Sequence, residues 1–241
     1  MLEPVYRAVS NTAVLKDMWV RIPPAAPLPG VLEIECLASP PDVSLCMDPQ
    51  DVGAAYAYLL GLYLGDGMLT SAPRRVWRLR IFLDQRYPLI IERCKWAIHQ
   101  VSWHGAGTAR KVGCLEIFSN WKHWLCAFPQ HGPGPKHRRR IVLVAWQQLV
   151  VAAHPHEFLR GLVHSDGCRS LNRVRRPLKS GVREYAYPRY FFSNYSTEIR
   201  GLFTEACASI GVDTRPDGPY VVSVARRGSV ELLDSFIGPK R

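Results

Sequence analysis

Two aspartates, Asp66 and Asp166, occupy the same position in two copies of one short motif. The first copy reads LLGLYLGDG over residues 59–67, and the second reads LRGLVHSDG over residues 159–167. Two carboxylates that lie close together repel each other and raise each other's pKa unless a cation sits between them. Hard divalent cations, Mg²⁺ above all, prefer such oxygen ligands. The repeat therefore indicates an acidic pair that could hold a divalent metal.

The spacing of small residues in each motif predicts how the two aspartates come together. Gly61 and Gly65 lie four residues apart and share one helix face, as do Gly161 and Ser165. Small residues there let two helices approach more closely than the about 8–10 Å of ordinary helix packing. We expect a tight, pseudo-twofold helix interface with the aspartates at its base. For one copy, helix packing and a helix stop would be a sufficient explanation; two copies in a basic chain favour the metal site.

The first motif helix is predicted to start at Asp48-Pro49, run through Leu64 and stop at Gly67. Asp is a favoured N-cap and Pro is favoured at the first helical position, while Gly suits the left-handed conformation that ends many helices. The preceding residues 1–47 form a Pro-rich extension that should have little structure of its own. The two repeats are then predicted to span residues 48–149 and 150–241.

Further matches between the two halves indicate an α+β fold built twice. Residues 80–85 parallel residues 189–194, and residues 132–136 parallel residues 237–240. Each half is predicted to contain a helix, strands, a helix, strands and then a loop that carries a lysine. The second half is expected to lack the closing helix that the first half forms over about residues 141–151.

The composition is that of a globular chain with an affinity for phosphates. Its 241 residues include 31 Lys and Arg against 20 Asp and Glu, a formal net charge of +11. Such a charge favours nucleic acid, because Lys and Arg displace condensed counterions. The seven cysteines are odd in number and contain no CxxC pair, which favours a reducing cytoplasm over a disulfide framework. The apolar stretch 52–65 is too short to span a bilayer, so we expect no membrane association and a cytoplasmic, nucleoid-associated protein.

The two motifs resemble the signatures of the LAGLIDADG homing endonucleases, in the form that carries both motifs in one chain. The ends of the two halves also resemble a free-standing bacterial subgroup, and the resemblance covers roughly residues 48–241. It implies two pseudo-symmetric αββαββα repeats whose antiparallel sheets form a saddle over the DNA major groove. It further implies an enzyme that cuts both strands of a long asymmetric double-stranded DNA target using Mg²⁺ or Mn²⁺. Because both motif helices lie in one chain, we expect a monomer without an obligate protein partner.

The resemblance assigns roles to particular residues of this chain. Catalytic roles fall on Asp66, Asp166, Lys136, Lys240, Gln85 and Asn194, and metal binding on Asp66, Asp166, Gly65 and Ser165. The sixth motif position, often acidic in the family, is Leu64 in one copy and His164 in the other. His164 is interpreted as a buried hydrogen-bonded residue, with a place beside the metal ligands as the alternative.

Basic residues follow each motif at similar places and are candidates for DNA contacts, with a solvated charged face as the alternative. In extended strands, alternate side chains point to one face, so part of each set could enter a groove. The candidates are Arg74, Arg75, Arg78, Arg80, Lys136, Arg138, Arg169, Arg173, Arg175, Arg176, Lys179, Arg183, Arg226 and Arg227.

Two other functions remain compatible with these features. A domesticated DNA-binding transcriptional regulator would keep the fold and lose cleavage, although such proteins usually lose the acidic residues that are present here. A maturase-like RNA-binding role is compatible with the charge alone. A small-molecule hydrolase has no support, because the chain has no Ser–His–Asp motif, P-loop or dinucleotide fingerprint.

Deletion of residues 1–46 should leave DNA affinity unchanged, because the first helix start signal follows directly at Asp48-Pro49. Gel shifts and thermal melts of the full and shortened chains test this expectation. Unfolding or a loss of affinity in the shortened chain would contradict it.

Overall fold

Two four-stranded antiparallel sheets, with helices packed against them, make up the part of the chain that the structure describes. The structure is a computed structural model that describes residues 49–178, 181–238 and 240. The predicted extension, the N-cap Asp48 and the DNA-contact candidate Lys179 lie outside the described residues. None of the helices in these ranges is long and apolar enough to cross a membrane.

The order of elements confirms the predicted αββαββα repeat in both halves. The first half comprises α1 (Pro49–Asp66), β1 (Gly67–Ala72), β2 (Val76–Leu83), α2 (Pro88–Ser102), β3 (Gly107–Lys111), β4 (Cys114–Trp121) and α3 (Trp124–Ala127). The second comprises α5 (Pro155–Asp166), β5 (Gly167–Leu178), β6 (Gly181–Ser193), α6 (Thr197–Ser209), β7 (Arg215–Pro216), β8 (Val221–Val224) and α7 (Arg227–Phe236). The sheets have the matching strand orders β1-β2-β4-β3 and β5-β6-β8-β7.

The helix predicted over residues 141–151 is α4 (Ala145–Ala153), and it connects the two halves rather than closing the first. Each half instead closes with the helix that follows its fourth strand, and the second half has the longer one, α7. The prediction that the helix over residues 141–151 closes the first half was therefore wrong, because this helix follows the Lys136 loop and leads into α5. In the described residues no counterpart of α4 follows α7. The predicted boundary between residues 149 and 150 lies inside α4, and the domain division stays a prediction.

The packing of α1 against α5 brings their backbones into direct contact. A Cβ atom built on Gly161 would lie 2.2 Å from the carbonyl oxygen of Tyr58, and one on Gly61 would lie 2.6 Å from that of Phe158. A Cβ on Gly65 would lie 2.2 Å from Oγ of Ser165. Since a side chain at these positions would force the helices apart, the glycines set the separation of the two halves.

The glycine after each motif aspartate has a different role from the one predicted. Gly167 has φ −98° and ψ 160°, which is extended backbone, and Gly67 is not among the glycines with positive φ. A Cβ on Gly67 would lie 2.5 Å from Cα of Tyr63, and one on Gly167 would lie 2.7 Å from Cα of Val163. The helices pass directly into strands that fold back over their last turn, so close approach, not a left-handed cap, requires glycine.

A buried hydrogen bond joins the two motif helices. The hydroxyl of Tyr58 lies 2.9 Å from Nδ1 of His164, and both residues are buried. Burial lowers the pKa of His164 to about 4, with a smaller contribution from the charge of Lys240, so the imidazole is neutral at pH 7. The interpretation of His164 as a buried hydrogen-bonded residue agrees with this arrangement.

The glycine contact predicts opposite effects for two helical Gly→Ala changes. Gly161→Ala should destabilise the protein by at least about 2 kcal/mol, because the added methyl group overlaps a backbone carbonyl. Gly201→Ala, in α6 with open space around the new Cβ, should stabilise it by about 0.5–1 kcal/mol. Denaturant melts of the two variants measure both values; equal effects would show that α1 and α5 do not meet at their backbones.

Candidate active site

The two motif aspartates end the two interface helices and lie beside each other. A Cβ on Gly65, in the last turn of α1, would lie 3.0 Å from Oδ2 of Asp166. Burial and, to a smaller extent, the negative charge of Asp166 raise the pKa of Asp66 to about 6, against the opposing charges of Lys136 and Lys240. Burial also raises the pKa of Asp166, while a hydrogen bond from Asn194 lowers it. The site is thus an acidic pair whose charge is only partly compensated.

Two lysines lie at equivalent places on either side of the acidic pair. Nζ of Lys136 donates hydrogen bonds to the carbonyl oxygen of Gly65 at 2.8 Å and to that of Tyr63. Nζ of Lys240 lies 3.4 Å from the carbonyl oxygen of Ser165. Burial lowers the pKa of Lys136 to about 8, and it lowers that of Lys240 as well. The glycine–proline loops of the two halves therefore bring both predicted lysines to the site.

Two cavities open next to the aspartates, and each is lined by residues of both halves. The cavity at Asp166 has a volume of about 290 Å³, and the cavity at Asp66 has a volume of about 200 Å³. The first is lined by Leu64, Gly65, Lys136, His137, Asp166, Ser193, Asn194 and Tyr195. The second is lined by Asp66, Leu83, Asp84, Tyr87, Ile90, His164, Ser165 and Lys240. Each cavity therefore combines one motif aspartate with one of the two lysines.

Asn194 reaches the site and Gln85 does not. Nδ2 of Asn194 donates to Oδ2 of Asp166 at 2.6 Å, and its Oδ1 accepts from the backbone N–H of Ser196, which fixes the orientation of the amide. Nε2 of Gln85 instead donates to the carbonyl oxygen of Cys114, and Gln85 lines neither cavity. The preceding residue, Asp84, lines the Asp66 cavity in its place.

The strand pairing explains why the prediction misplaced Gln85. Gly67 pairs with Ile81, whereas Gly167 pairs with Phe192. Ile81 is thus the counterpart of Phe192, two residues away from the match that the sequence suggested. Gln85 lies four residues after Ile81 and falls beyond the strand end, so its side chain leaves the site.

The donor set suits a hard divalent cation that is shared with a substrate. Within the described residues, no group of three or more His, Cys, Asp or Glu side chains could hold a metal ion alone. The two carboxylates offer oxygen ligands, and the Gly65 and Ser165 carbonyl oxygens beside them are contacted by the lysine ammonium groups. A cation here would take its remaining ligands from water or phosphate, as Mg²⁺ does in proteins.

The arginines of the first half lie on the sheet face opposite the core. Leu79, Ile81 and Leu83 of β2 are buried, so Arg78 and Arg80 point to the other face. Arg80 is held by Glu116 in a two-bond ion pair at 2.7 and 3.0 Å, and Arg78 donates to Asn120. Arg74 and Arg75 occupy the turn before β2 with φ of 62° and 57°.

Several candidates of the second half are engaged elsewhere. Arg169 forms a two-bond ion pair with Asp234 of α7, on the helix side of the sheet. Arg226 pairs with Asp213 and Arg227 with Glu231 at the start of the same helix. The remaining candidates Arg138, Arg173, Arg175 and Arg183 are exposed, and only the backbone of Arg176 is described.

Sequence reasoning missed Asp84, Tyr87 and Tyr195, which line the cavities, and Arg189 on the outer face of β6. For Arg189 a signal was present: it alternates with the buried residues Tyr190 and Phe192 at the strand period. No comparable sequence signal marks the loop residues, because their positions depend on how the two halves pack.

The raised pKa of Asp66 predicts that Asp66→Asn stabilises the metal-free protein at neutral pH. A carboxyl with a raised pKa is harder to ionise in the folded protein than in the unfolded chain. Ionisation of Asp66 therefore does not lower the stability of the folded state below about pH 4, and it lowers that stability by its full amount above pH 6. We expect a gain of about 1–3 kcal/mol at pH 7.5 in EDTA that disappears near pH 4. Asp217→Asn, in the exposed β7–β8 loop, is the matched control. Equal melting of wild type and Asp66→Asn at pH 7.5 would contradict the described charge balance.

The described architecture is similar to solved LAGLIDADG structures. I-DmoI in complex with DNA and Mn matches with a TM-score of 0.51 and 15% identity, over 78% of this chain and 98% of that chain. I-DmoI in complex with DNA and Ca matches with a TM-score of 0.51 and 16% identity, over 77% and 90%. The N-terminal LAGLIDADG domain of DUF199/WhiA matches with a TM-score of 0.47 and 12% identity, over 83% and 87%.

No protein-family model and no curated protein matches the sequence. At identities this low, the structural similarity concerns the fold. The resemblance carried by the two motifs is confirmed at that level: the chain has the LAGLIDADG fold, with both repeats in one polypeptide.

Proposed function

We propose that this protein is a site-specific DNA endonuclease that hydrolyses phosphodiester bonds with the help of a divalent cation. The supporting observation is the pair of motif aspartates, each with a lysine beside it, where the two interface helices end. The pair lies where strands of the two sheets begin, since β1 and β5 start at the residue after each aspartate. A duplex lying across both sheets would therefore present one phosphate of each strand to the site.

The roles of the residues follow from their chemistry. Asp66 and Asp166 supply the negative charge that would hold Mg²⁺ or Mn²⁺, and Asn194 fixes the Asp166 carboxylate by its hydrogen bond. A bound cation would polarise the phosphodiester and lower the pKa of a water molecule. Lys136 and Lys240 stabilise charge that develops on the phosphate and the leaving oxygen. Because burial lowers the pKa of Lys136 to about 8, this lysine can also give up or take a proton near neutral pH.

DNA is the substrate that the charge and surface favour. The net charge is +11, and Arg74, Arg75, Arg78 and Arg80 lie on or beside the sheet face away from the helices. Two-stranded ribbons fit the major groove of B-DNA. Gly65 and Ser165, predicted as metal ligands, would act through the backbone carbonyl oxygens that the lysines contact in the free protein. Both interface helices belong to one chain, so the active form is a monomer.

Separate tests of cutting and binding distinguish this proposal from a DNA-binding regulator of the same fold. Asp66→Asn and Asp166→Asn should each abolish cleavage of a mapped target and leave specific binding within a fewfold of wild type. Asparagine keeps the size and one acceptor oxygen but loses the charge, while affinity rests on many phosphate and base contacts. Lys136→Ala should slow cleavage by about 100-fold, because a lysine stabilises the transition state without holding the metal.

The assays are a nicking test and a gel shift on the same DNA, with Asp217→Asn as the matched surface control. Cleavage of both strands at the wild-type rate by either motif variant would contradict the proposed active site. Loss of all binding in both motif variants would instead assign the aspartates a structural role at the helix ends. Specific binding by the wild type without any cut in Mg²⁺ or Mn²⁺ would identify the regulator.

A further inference from the structure

The first hairpin of the second half is about twice as long as that of the first half. β1 and β2 have 6 and 8 residues, whereas β5 and β6 have 12 and 13. In the first sheet, β2 pairs with β4 along Trp77–Leu83. In the second sheet, β6 pairs with β8 only along Tyr190–Ser193. Residues 171–178 and 181–188 therefore form a two-stranded ribbon beside which the described part of the chain places no third strand.

This ribbon stands free in solvent. All side chains of residues 181–186 are exposed, including Val182 at 69%, and Leu171 opposite is 51% exposed. An isolated two-stranded ribbon is at best marginally stable in water. Its length is therefore unexplained by the fold itself and points to a binding partner that covers it.

The pairing register divides the ribbon into two chemically different faces. Directly paired residues lie on one face, and the pairs Ser170–Arg189, Asn172–Tyr187 and Val174–Tyr185 share the face opposite buried Tyr190. On this face Nδ2 of Asn172 donates to the Tyr187 hydroxyl at 3.1 Å, and the guanidinium of Arg189 lies over the Tyr187 ring at 5.2 Å.

The Arg189 side chain is held on this face by Tyr187, because its Nη2 donates to the Tyr187 hydroxyl at 3.4 Å. The opposite face carries the exposed ion pair between Arg175 and Glu184. Arginine and asparagine are the side chains that read purine edges in the major groove, so the first face has the chemistry for base recognition.

We propose that the ribbon lies in the DNA major groove and lengthens the contacted DNA on the side of the second half only. This inference rests on the proposed function. Both hairpins start at the residue after a motif aspartate, next to the proposed cut position. The length of each hairpin therefore sets how far from the cut its tip can contact DNA. Six residues of β1 span about 20 Å and twelve residues of β5 about 40 Å, at about 3.3 Å per residue. At 3.4 Å per base pair, the difference corresponds to about 6 base pairs.

Hydroxyl-radical footprinting of the full chain on its mapped target, in EDTA so that no cutting occurs, tests the proposal. Protection should reach about 5–6 base pairs farther from the cut position on one side than on the other. A shortened variant, in which residues 173–186 are replaced by Asn-Gly, should lose protection on that side only. Its thermal melting should stay unchanged, because the removed residues lie outside the two packed halves. Asp217→Asn, in the exposed β7–β8 loop, keeps the whole ribbon and is the matched control.

Single substitutions on the two faces sharpen the test. Asn172→Ala should weaken base preference in the added segment by about tenfold, whereas Val182→Ala on the opposite face should leave base preference intact. Equal protection on both sides of the cut, or a footprint that the shortened variant leaves unchanged, would overturn the inference while the endonuclease proposal stands. Asymmetric protection without any cutting in Mg²⁺ would support the ribbon and overturn the endonuclease. Absence of DNA binding by the full chain would overturn both.

Discussion

Backbone contact between α1 and α5 is the constraint on which the candidate site depends. Gly61 and Gly161 let the two helices meet without side chains between them, and the aspartates at the helix ends are carried together. A larger residue at either glycine would separate the halves and, with them, the carboxylates. The same contact fixes the relative position of the two sheets, because each sheet starts at the residue after its aspartate.

The close approach has an electrostatic cost that the surroundings only partly offset. Burial and the charge of Asp166 keep the pKa of Asp66 raised, although two lysine ammonium groups lie beside the pair. Those lysines are themselves buried and have lowered pKa values. Because the two ammonium groups compensate the carboxylates only in part, a divalent cation would bind at this site more favourably than a further monovalent one. Perturbed titration of several groups in one cleft is typical of functional sites, although structural networks also produce it.

The sequence predicted the repeat, the α+β class and the identity of the interface helices, because glycine spacing and the Asp-Gly motif depend on local geometry. It also placed Lys136, Lys240 and Asn194 correctly beside the aspartates. The failure at Gln85 has a physical reason: strand register depends on cross-strand pairing, and a shift of two residues preserves the facing of side chains while moving the strand end. The ion pair of Arg169 could not be predicted, because its partner, Asp234, comes from a helix that the sequence did not reveal.

The ion pairs narrow the set of basic residues that could meet DNA. Arg169, Arg226 and Arg227 are engaged with acidic side chains of the chain itself, whereas Arg78 and Arg189 lie on the outer sheet faces. Charge alone could not make this distinction, since a net charge of +11 describes the chain and not a face. The second half thus presents amide and phenol groups as well as arginine, a mixture suited to base contacts as well as to phosphates.

The most direct test of the central claim is to map DNA breaks in a plasmid library made from the genome that encodes the protein. The protein is incubated with the library in Mg²⁺, with EDTA as the control, and all new ends are sequenced. We predict double-strand breaks at one recurrent sequence that are absent in EDTA. Selective retention of one sequence by the protein without any break in Mg²⁺ or Mn²⁺ would contradict the account.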